Sequence, residues 1–87
     1  MEKDLVETFL TIAKVNNISE ASRVLYVSQA TVSYRLKQLE RQVGAQLVLR
    51  QQGSRGTQLT PNGKRLLPLA QSWLSVNMAF ENFQPQE

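Results

Sequence analysis

Cysteine and histidine are both absent from the 87 residues of this chain. Without cysteine there is no disulfide, no thiolate nucleophile and no sulfur ligand for zinc. Without histidine there is no imidazole to serve as a general base or as a metal ligand. The seven carboxylates are scattered and form neither a metal-binding loop motif nor a pair at catalytic spacing. We therefore expect no metal site, no cofactor bound by these residues, and a protein that is not an enzyme.

Long apolar runs are also missing. No stretch approaches the ~20 apolar residues that a helix needs to cross a bilayer. The first residues include Glu2 and Asp4, whereas a signal peptide begins with a basic segment followed by an apolar one. We expect a single small cytoplasmic domain with no membrane partner and a thin core, because short chains bury only ~60–65% of their unfolded surface.

Acidic residues are scarce in the middle of the chain. Residues 21–65 hold eight lysines and arginines against Glu40 alone, a net charge of +7, whereas residues 1–20 and 66–87 each carry −2. A basic centre between acidic ends indicates a polyanionic partner such as nucleic acid. Judged from charge alone, an ordinary solvated surface of lysine and arginine is the alternative.

Apolar spacing predicts two helices at the start of the chain. Leu5 and Phe9 belong to one apolar stripe of a helix over residues 4–15. A short second helix is predicted over residues 19–26, with Ser19 as its N-cap.

A third helix is predicted over residues 29–43, with Ser28 as its N-cap and Gly44 as its C-terminal stop. The tight connection between the second and third helices gives a helix-turn-helix over about residues 19–43. Counting 100° per residue, one side of the third helix is apolar and comprises Val32, Leu36, Leu39 and Val43. The opposite side is small, polar and basic and comprises Gln29, Ala30, Ser33 and Lys37. Tyr34 and Arg41 border that polar side, whereas Arg35 lies beside the apolar stripe.

The polar side of the third helix suits the major groove of DNA, which is ~12 Å wide and admits a helix with short side chains. Gln29 can bond adenine in bidentate fashion, Ser33 can donate or accept, and Ala30 can lie against a thymine methyl group. We therefore predict base contacts by Gln29, Ala30 and Ser33. The alternative is that these are ordinary exposed residues of a three-helix bundle.

Residues 46–60 change to the alternating period of β-strands. Leu47 and Leu49 alternate with their neighbours, a glycine-containing turn follows, and a return strand leads to Thr60. This predicts a basic hairpin, or wing, that completes a winged helix-turn-helix domain over residues 1–60. Its predicted DNA contacts are Gly53, Ser54 and Arg55. The predicted contacts to the DNA backbone are Ser28, Thr31, Lys37, Arg41, Arg50 and Lys64.

A long helix is predicted at the end of the chain, within residues 61–87. Thr60 is its N-cap, and Pro61 takes the first helical position, where its missing N–H costs nothing. Two apolar series with a spacing of seven, offset by three, form a coiled-coil-like seam. The seam residues are Leu66, Leu69, Trp73, Val76, Phe80 and Phe83. We predict that this linker helix forms a homodimer, the alternative being that the seam packs on its own domain.

Almost the whole chain resembles the N-terminal domain of LysR-type transcriptional regulators. The matching segments include Ser19-Glu20-Ala21-Ser22, Val27-Ser28-Gln29, Val32-Ser33, Leu49-Arg50 and Leu59-Thr60-Pro61. The resemblance implies a mainly α, bacterial, sequence-specific DNA-binding regulator that binds an inverted-repeat operator as a dimer or tetramer. It also implies a C-terminal effector domain absent from this chain, which would bind a small-molecule inducer.

Carried over by position, the contacts of this family fall on Gln29, Ala30, Ser33, Tyr34 and the wing. Two residues depart from the usual pattern, because many members have proline in place of Ala30 and arginine in place of Tyr34. Tyrosine can stack or donate one hydrogen bond, but it cannot form the bidentate fork of arginine. A winged-helix adaptor that binds protein instead of DNA is the alternative function, although the basic centre argues against it.

Overall fold

The computed structural model describes residues 1–50 and 56–86. In these ranges the chain forms helices α1 (Lys3–Val15), α2 (Ile18–Leu25) and α3 (Gln29–Val43), strands β1 (Val48–Arg50) and β2 (Thr57–Leu59), and helix α4 (Pro61–Glu81). The strands form an antiparallel hairpin in which Val48 pairs with Leu59 and Arg50 with Thr57. The predicted mainly helical, winged helix-turn-helix fold, followed by a long helix, is confirmed.

The caps explain where the helices begin. Ser28 and Thr60 each accept a hydrogen bond from a backbone N–H three residues later, as predicted. The predicted N-cap of α2, Ser19, was wrong. The N-cap is Asn17, whose side chain accepts a hydrogen bond from the Glu20 N–H. The helix therefore begins at Ile18, whose side chain is buried.

The core lies where α1, α2 and α3 meet under the hairpin. Its largest fully buried side chains include Phe9, Ile12, Leu39 and Leu47. The burial pattern along β1 differs from the predicted alternation. Leu47 precedes β1, and both Leu47 and Val48 are buried, whereas Leu49 is exposed. Two consecutive buried residues carry the chain from the end of α3 into the hairpin.

Helix α4 packs antiparallel to α1 and contributes Ala70 to the core. Lys3 at the start of α1 donates a 2.9 Å hydrogen bond to the carboxylate of Glu81 at the end of α4. This bond raises the pKa of Lys3 above its ordinary value. The helix continues through Pro68 and ends at Glu81, so Phe83 lies beyond it. No helix in the described part of the chain is long and apolar enough to cross a membrane.

Candidate nucleic-acid interface

The turn between α2 and α3 sets the direction of the third helix. Tyr26 ends α2 in the left-handed conformation, with φ 58°, and its backbone N–H bonds to the Arg23 carbonyl. At the start of α3, the Ser28 hydroxyl accepts from the Thr31 N–H at 3.0 Å and donates to the Thr31 hydroxyl at 3.0 Å. Ser28 and Thr31, two of the six residues predicted to contact the DNA backbone, are thus hydrogen-bonded to each other at the helix N-terminus, where free N–H groups favour an anion.

The polar side of α3 borders a cleft between the helix and the hairpin. Gln29 and Ala30 are exposed and Ser33 is half-buried, whereas Val32, on the opposite side, is fully buried. The cleft has a volume of about 580 Å³ and is lined by Ile18, Ser19, Gln29, Ala30, Ser33, Arg50, Gly56 and Thr57. The three predicted base-reading residues therefore line one concave surface.

Arg50 at the end of β1 reaches across to α3 and donates a hydrogen bond from its guanidinium to the Ser33 hydroxyl. The sequence placed Arg50 among the predicted backbone contacts, and the structure adds its direct contact with a predicted base reader. A second cleft of about 530 Å³ lies on the other side of this pair and includes Lys37 and Glu40 in its lining. Arg50 and Ser33 line both clefts.

Tyr34 belongs to a chain of polar contacts along the edge of α3. The Gln38 amide nitrogen donates to the Tyr34 hydroxyl at 2.7 Å, and Arg41 donates to the Gln38 amide oxygen at 3.5 Å. Tyr34 and Arg41 are exposed. Gln38 was not among the residues predicted from the sequence, although its spacing of four from Tyr34 puts the two on neighbouring turns of one face.

Other predicted contact residues lie apart from these clefts. Lys64 is exposed in the first turn of α4 and lines neither of them. The wing contacts Gly53, Ser54 and Arg55 lie outside the described residues. Arg35, which the helical spacing put away from the polar side, is half-buried and pairs with Asp4 of α1 at 3.8 Å.

The turn end of strand β2, where Thr57 pairs with Arg50, is bonded to the helical core. The Thr57 N–H donates to the Asn16 carbonyl at 2.9 Å, and Asn17 forms an isolated antiparallel bridge with Gly56. Strand β2 thus bonds both to β1 and to the loop between α1 and α2. No cluster of three potential metal-ligating side chains occurs among the residues that the structure describes.

A second candidate surface lies on α4, where an apolar groove of about 440 Å³ is lined by Leu69, Ser72, Trp73, Val76, Asn77 and Phe80. Leu66 and Trp73 pack partly against the core, whereas Leu69, Val76 and Phe80 are 66%, 57% and 79% exposed. Phe83 was predicted to continue the helical seam, but α4 ends before it. The six seam residues are therefore divided between the core, the groove and the segment after the helix.

The chain is similar to a set of bacterial regulators. The family model of bacterial regulatory helix-turn-helix proteins, lysR family, matches residues 4–64 of this chain. The HTH-type transcriptional regulator HdfR of Yersinia enterocolitica is 40% identical over 76 residues, which cover 87% of this chain and 25% of that protein. The chain thus spans about a quarter of the length of the curated relatives it matches.

Two solved structures with DNA are similar in fold and sequence. DarR from Vibrio fischeri, in complex with DNA, has a TM-score of 0.82 and 37% identity, covering 91% of this chain and 26% of that one. A complex of the CbnR DNA-binding domain with DNA has a TM-score of 0.86 and 28% identity, covering 94% of this chain and 92% of that one.

Proposed function

Because the chain belongs to the lysR family of bacterial regulatory helix-turn-helix proteins, we propose that it is the sequence-specific DNA-binding part of a transcription regulator. Helix α3 enters the major groove of an inverted-repeat operator, and the wing lies on the backbone or in the minor groove. The DNA complexes of the similar proteins DarR and CbnR support this proposal. The chain acts by binding DNA in the bacterial cytoplasm and has no catalytic role.

The observation that carries the proposal is the exposed polar side at the start of α3. Gln29, Ala30 and Ser33 line one cleft, and their short or flexible side chains can approach base edges. The apolar residues on the other side of the helix fix this orientation, because turning α3 would expose Val32 and Leu39, which are buried. Tyr34, at the border of the face, completes the proposed set of base contacts.

Phosphate contacts would supply affinity without sequence information. The proposed residues are Ser28, Thr31, Lys37, Arg41, Arg50 and Lys64, together with Gly53, Ser54 and Arg55 of the wing. Binding of cations to phosphate releases counterions, so affinity must fall steeply as the salt concentration rises. An adaptor that binds protein through the same fold would show no such dependence on random duplex DNA.

The groove on α4 supports a homodimer through this helix. Three exposed apolar side chains on one helix form a surface that association would remove from water. Two copies related by a twofold axis would match the symmetry of an inverted repeat, and a tetramer would pair two such dimers in a longer protein. An inducer, as the family resemblance implies, would be bound by a part of that protein other than these residues.

The function is tested by selecting binding sites from a random duplex library and measuring affinities for the selected and a scrambled duplex. Gln29→Ala is expected to weaken binding to the selected duplex by ~1–3 kcal/mol, because one bidentate base contact is lost. Binding to the scrambled duplex should change little. Gln42→Ala, on the same helix but outside the proposed contacts, serves as the matched control. Equal discrimination by wild type and Gln29→Ala would show that the reading face is wrong.

A further inference from the structure

We infer that the hydroxyls of Ser33 and Tyr34 are held as hydrogen-bond donors, by Arg50 and by Gln38, so that these positions select acceptor groups on DNA. The inference rests on the proposed function and specifies its chemistry at two positions. A free serine or tyrosine hydroxyl can donate or accept, and it therefore discriminates poorly between base edges. A neighbour that can only donate occupies one lone pair of the hydroxyl oxygen and leaves the hydroxyl hydrogen available, which shifts the group toward donation.

Arg50 imposes the direction at Ser33. A guanidinium carries five N–H donors and no acceptor, so the Ser33 oxygen must accept in their hydrogen bond. The hydroxyl hydrogen of Ser33 is then free to point elsewhere, and the cleft that Ser33 lines with Gln29 and Ala30 is open to DNA. The guanidinium has further N–H groups, which can donate to a phosphate oxygen. Arg50 can thus orient Ser33 and bind the DNA backbone at the same time.

Two hydrogen bonds orient the Tyr34 hydroxyl. Arg41 can only donate, so the Gln38 amide presents its oxygen to Arg41 at 3.5 Å. The amide nitrogen of Gln38 therefore faces Tyr34 and donates to its hydroxyl at 2.7 Å. The Tyr34 oxygen accepts, and its hydrogen is available to an outside acceptor. The opposite amide orientation would bring its NH₂ group against the guanidinium, donor against donor.

This polarity has a defined consequence for the groove. Guanine N7 and O6, adenine N7 and thymine O4 are acceptors, whereas the amino groups of cytosine and adenine are donors. Ser33 lies within the reading face, so its hydroxyl favours a base acceptor over an amino group at the same place. Tyr34 lies at the border of that face, where its acceptor is either a base atom or a phosphate oxygen.

The Ser33 prediction is tested with the 87-residue chain on its selected duplex, by replacing each purine in turn with its 7-deaza analogue and by substituting the natural bases. At one position, loss of the acceptor should weaken the wild type about two- to tenfold, the value of one hydrogen bond. Ser33→Ala should show no such loss there. Arg50→Met should tolerate an amino group at this position better than the wild type does, because both lone pairs of its Ser33 oxygen are free to accept. Arg50→Lys, which keeps a donor and the charge, should retain the preference.

The Tyr34 prediction is tested with Gln38→Glu, whose carboxylate can only accept and would capture the Tyr34 hydrogen. Affinity should fall about two- to tenfold more than in Gln42→Glu, which adds the same charge elsewhere on α3. This additional fall in affinity should match the fall caused by Tyr34→Phe. The double variant Tyr34→Phe with Gln38→Glu should show no further loss beyond that of Gln38→Glu. A loss shared by all duplexes assigns the acceptor to phosphate, and a loss confined to the selected sequence assigns it to a base.

Three results would overturn the inference while leaving the proposed function intact. These are a wild-type preference unchanged by Ser33→Ala, a preference in Arg50→Met identical to that of wild type, and equal affinities for Gln38→Glu and Gln42→Glu. Failure of the wild-type chain to bind any duplex at low salt would instead overturn the proposed function itself, and the inference with it.

Discussion

Gly63 lies in the first turn of α4, where the helix passes over the backbone of Leu47. A β-carbon at this position would stand 2.2 Å from the Leu47 carbonyl oxygen and 3.1 Å from its carbonyl carbon. The same carbonyl accepts the Thr60 N–H at 2.9 Å, and the Thr60 hydroxyl donates to the Gln46 carbonyl at 2.6 Å. The obstacle is therefore backbone that is held in place, and only glycine permits this close approach.

Replacing Gly63 with alanine is expected to lower the free energy of unfolding by about 1–3 kcal/mol, because the start of α4 must move away from Leu47. Urea denaturation followed by circular dichroism measures the change. Asn62→Ala, at the exposed neighbouring position, is the control and should change stability by less than about 0.5 kcal/mol. Equal stability of the Gly63→Ala and wild-type chains would contradict the close approach.

At the scale of elements, Glu40 joins α3 to the hairpin. Its carboxylate accepts from the backbone N–H groups of Leu47 and Val48, at 2.7 and 3.3 Å. The sequence shows Glu40 only as the single acid of a basic segment. Its partners are backbone groups seven and eight residues away, beyond the end of the helix, so side-chain spacing could not reveal them.

The sequence predicted the helices well because their apolar residues recur with helical spacing and their ends carry strong caps. It misplaced the start of α2, because both Asn17 and Ser19 can cap and only the packing of Ile18 decides between them. It extended the seam to Phe83, since a sevenfold spacing continues in the sequence whether or not the helix does. The contact of Arg50 with Ser33 spans seventeen residues and depends on how the hairpin folds onto α3.

The groove on α4 gives a prediction about association. Val76→Asp should weaken a dimer by at least about 2 kcal/mol, because a twofold interface would bury two unpaired charges. Sedimentation at several concentrations measures the change. Ser75→Asp adds the same charge at an adjacent exposed position that does not line the groove, and it should leave association unaffected. A wild-type chain that stays monomeric at high concentration would exclude this interface.

At the scale of the whole molecule, charge and apolar surface are divided between two regions. The basic central segment runs from within α2 through α3 and the two strands to the start of α4, whereas the exposed apolar groove lies farther along α4. The charge division was visible in the sequence. The grouping of Gln29, Ala30 and Ser33 also followed from angular spacing, but the concave shape they line with β2 required the bonds from Asn16 and Asn17 to the hairpin.

The division of charge predicts how single lysines affect DNA binding. Lys37→Ala should weaken binding to all duplexes about equally and reduce the salt slope of log affinity by about one, because one phosphate contact is lost. Lys14→Ala removes the same charge from α1, where Lys14 borders α4 and not the reading face, and should leave the slope nearly unchanged. Affinities measured over a series of salt concentrations separate the two. A slope change shared by both variants would indicate a diffuse charge effect.

Trp73 is the single tryptophan of the chain, and it lines the groove on α4 together with Val76 and Phe80. Its indole is half-buried against the core, with the remaining surface directed to whatever covers that groove. The intrinsic fluorescence of this protein is therefore a label-free signal for association. Emission should shift to shorter wavelength as the concentration rises, while DNA added to a chain that is already dimeric should leave the indole in the same surroundings. One optical measurement can thus follow self-association separately from occupation of the reading face.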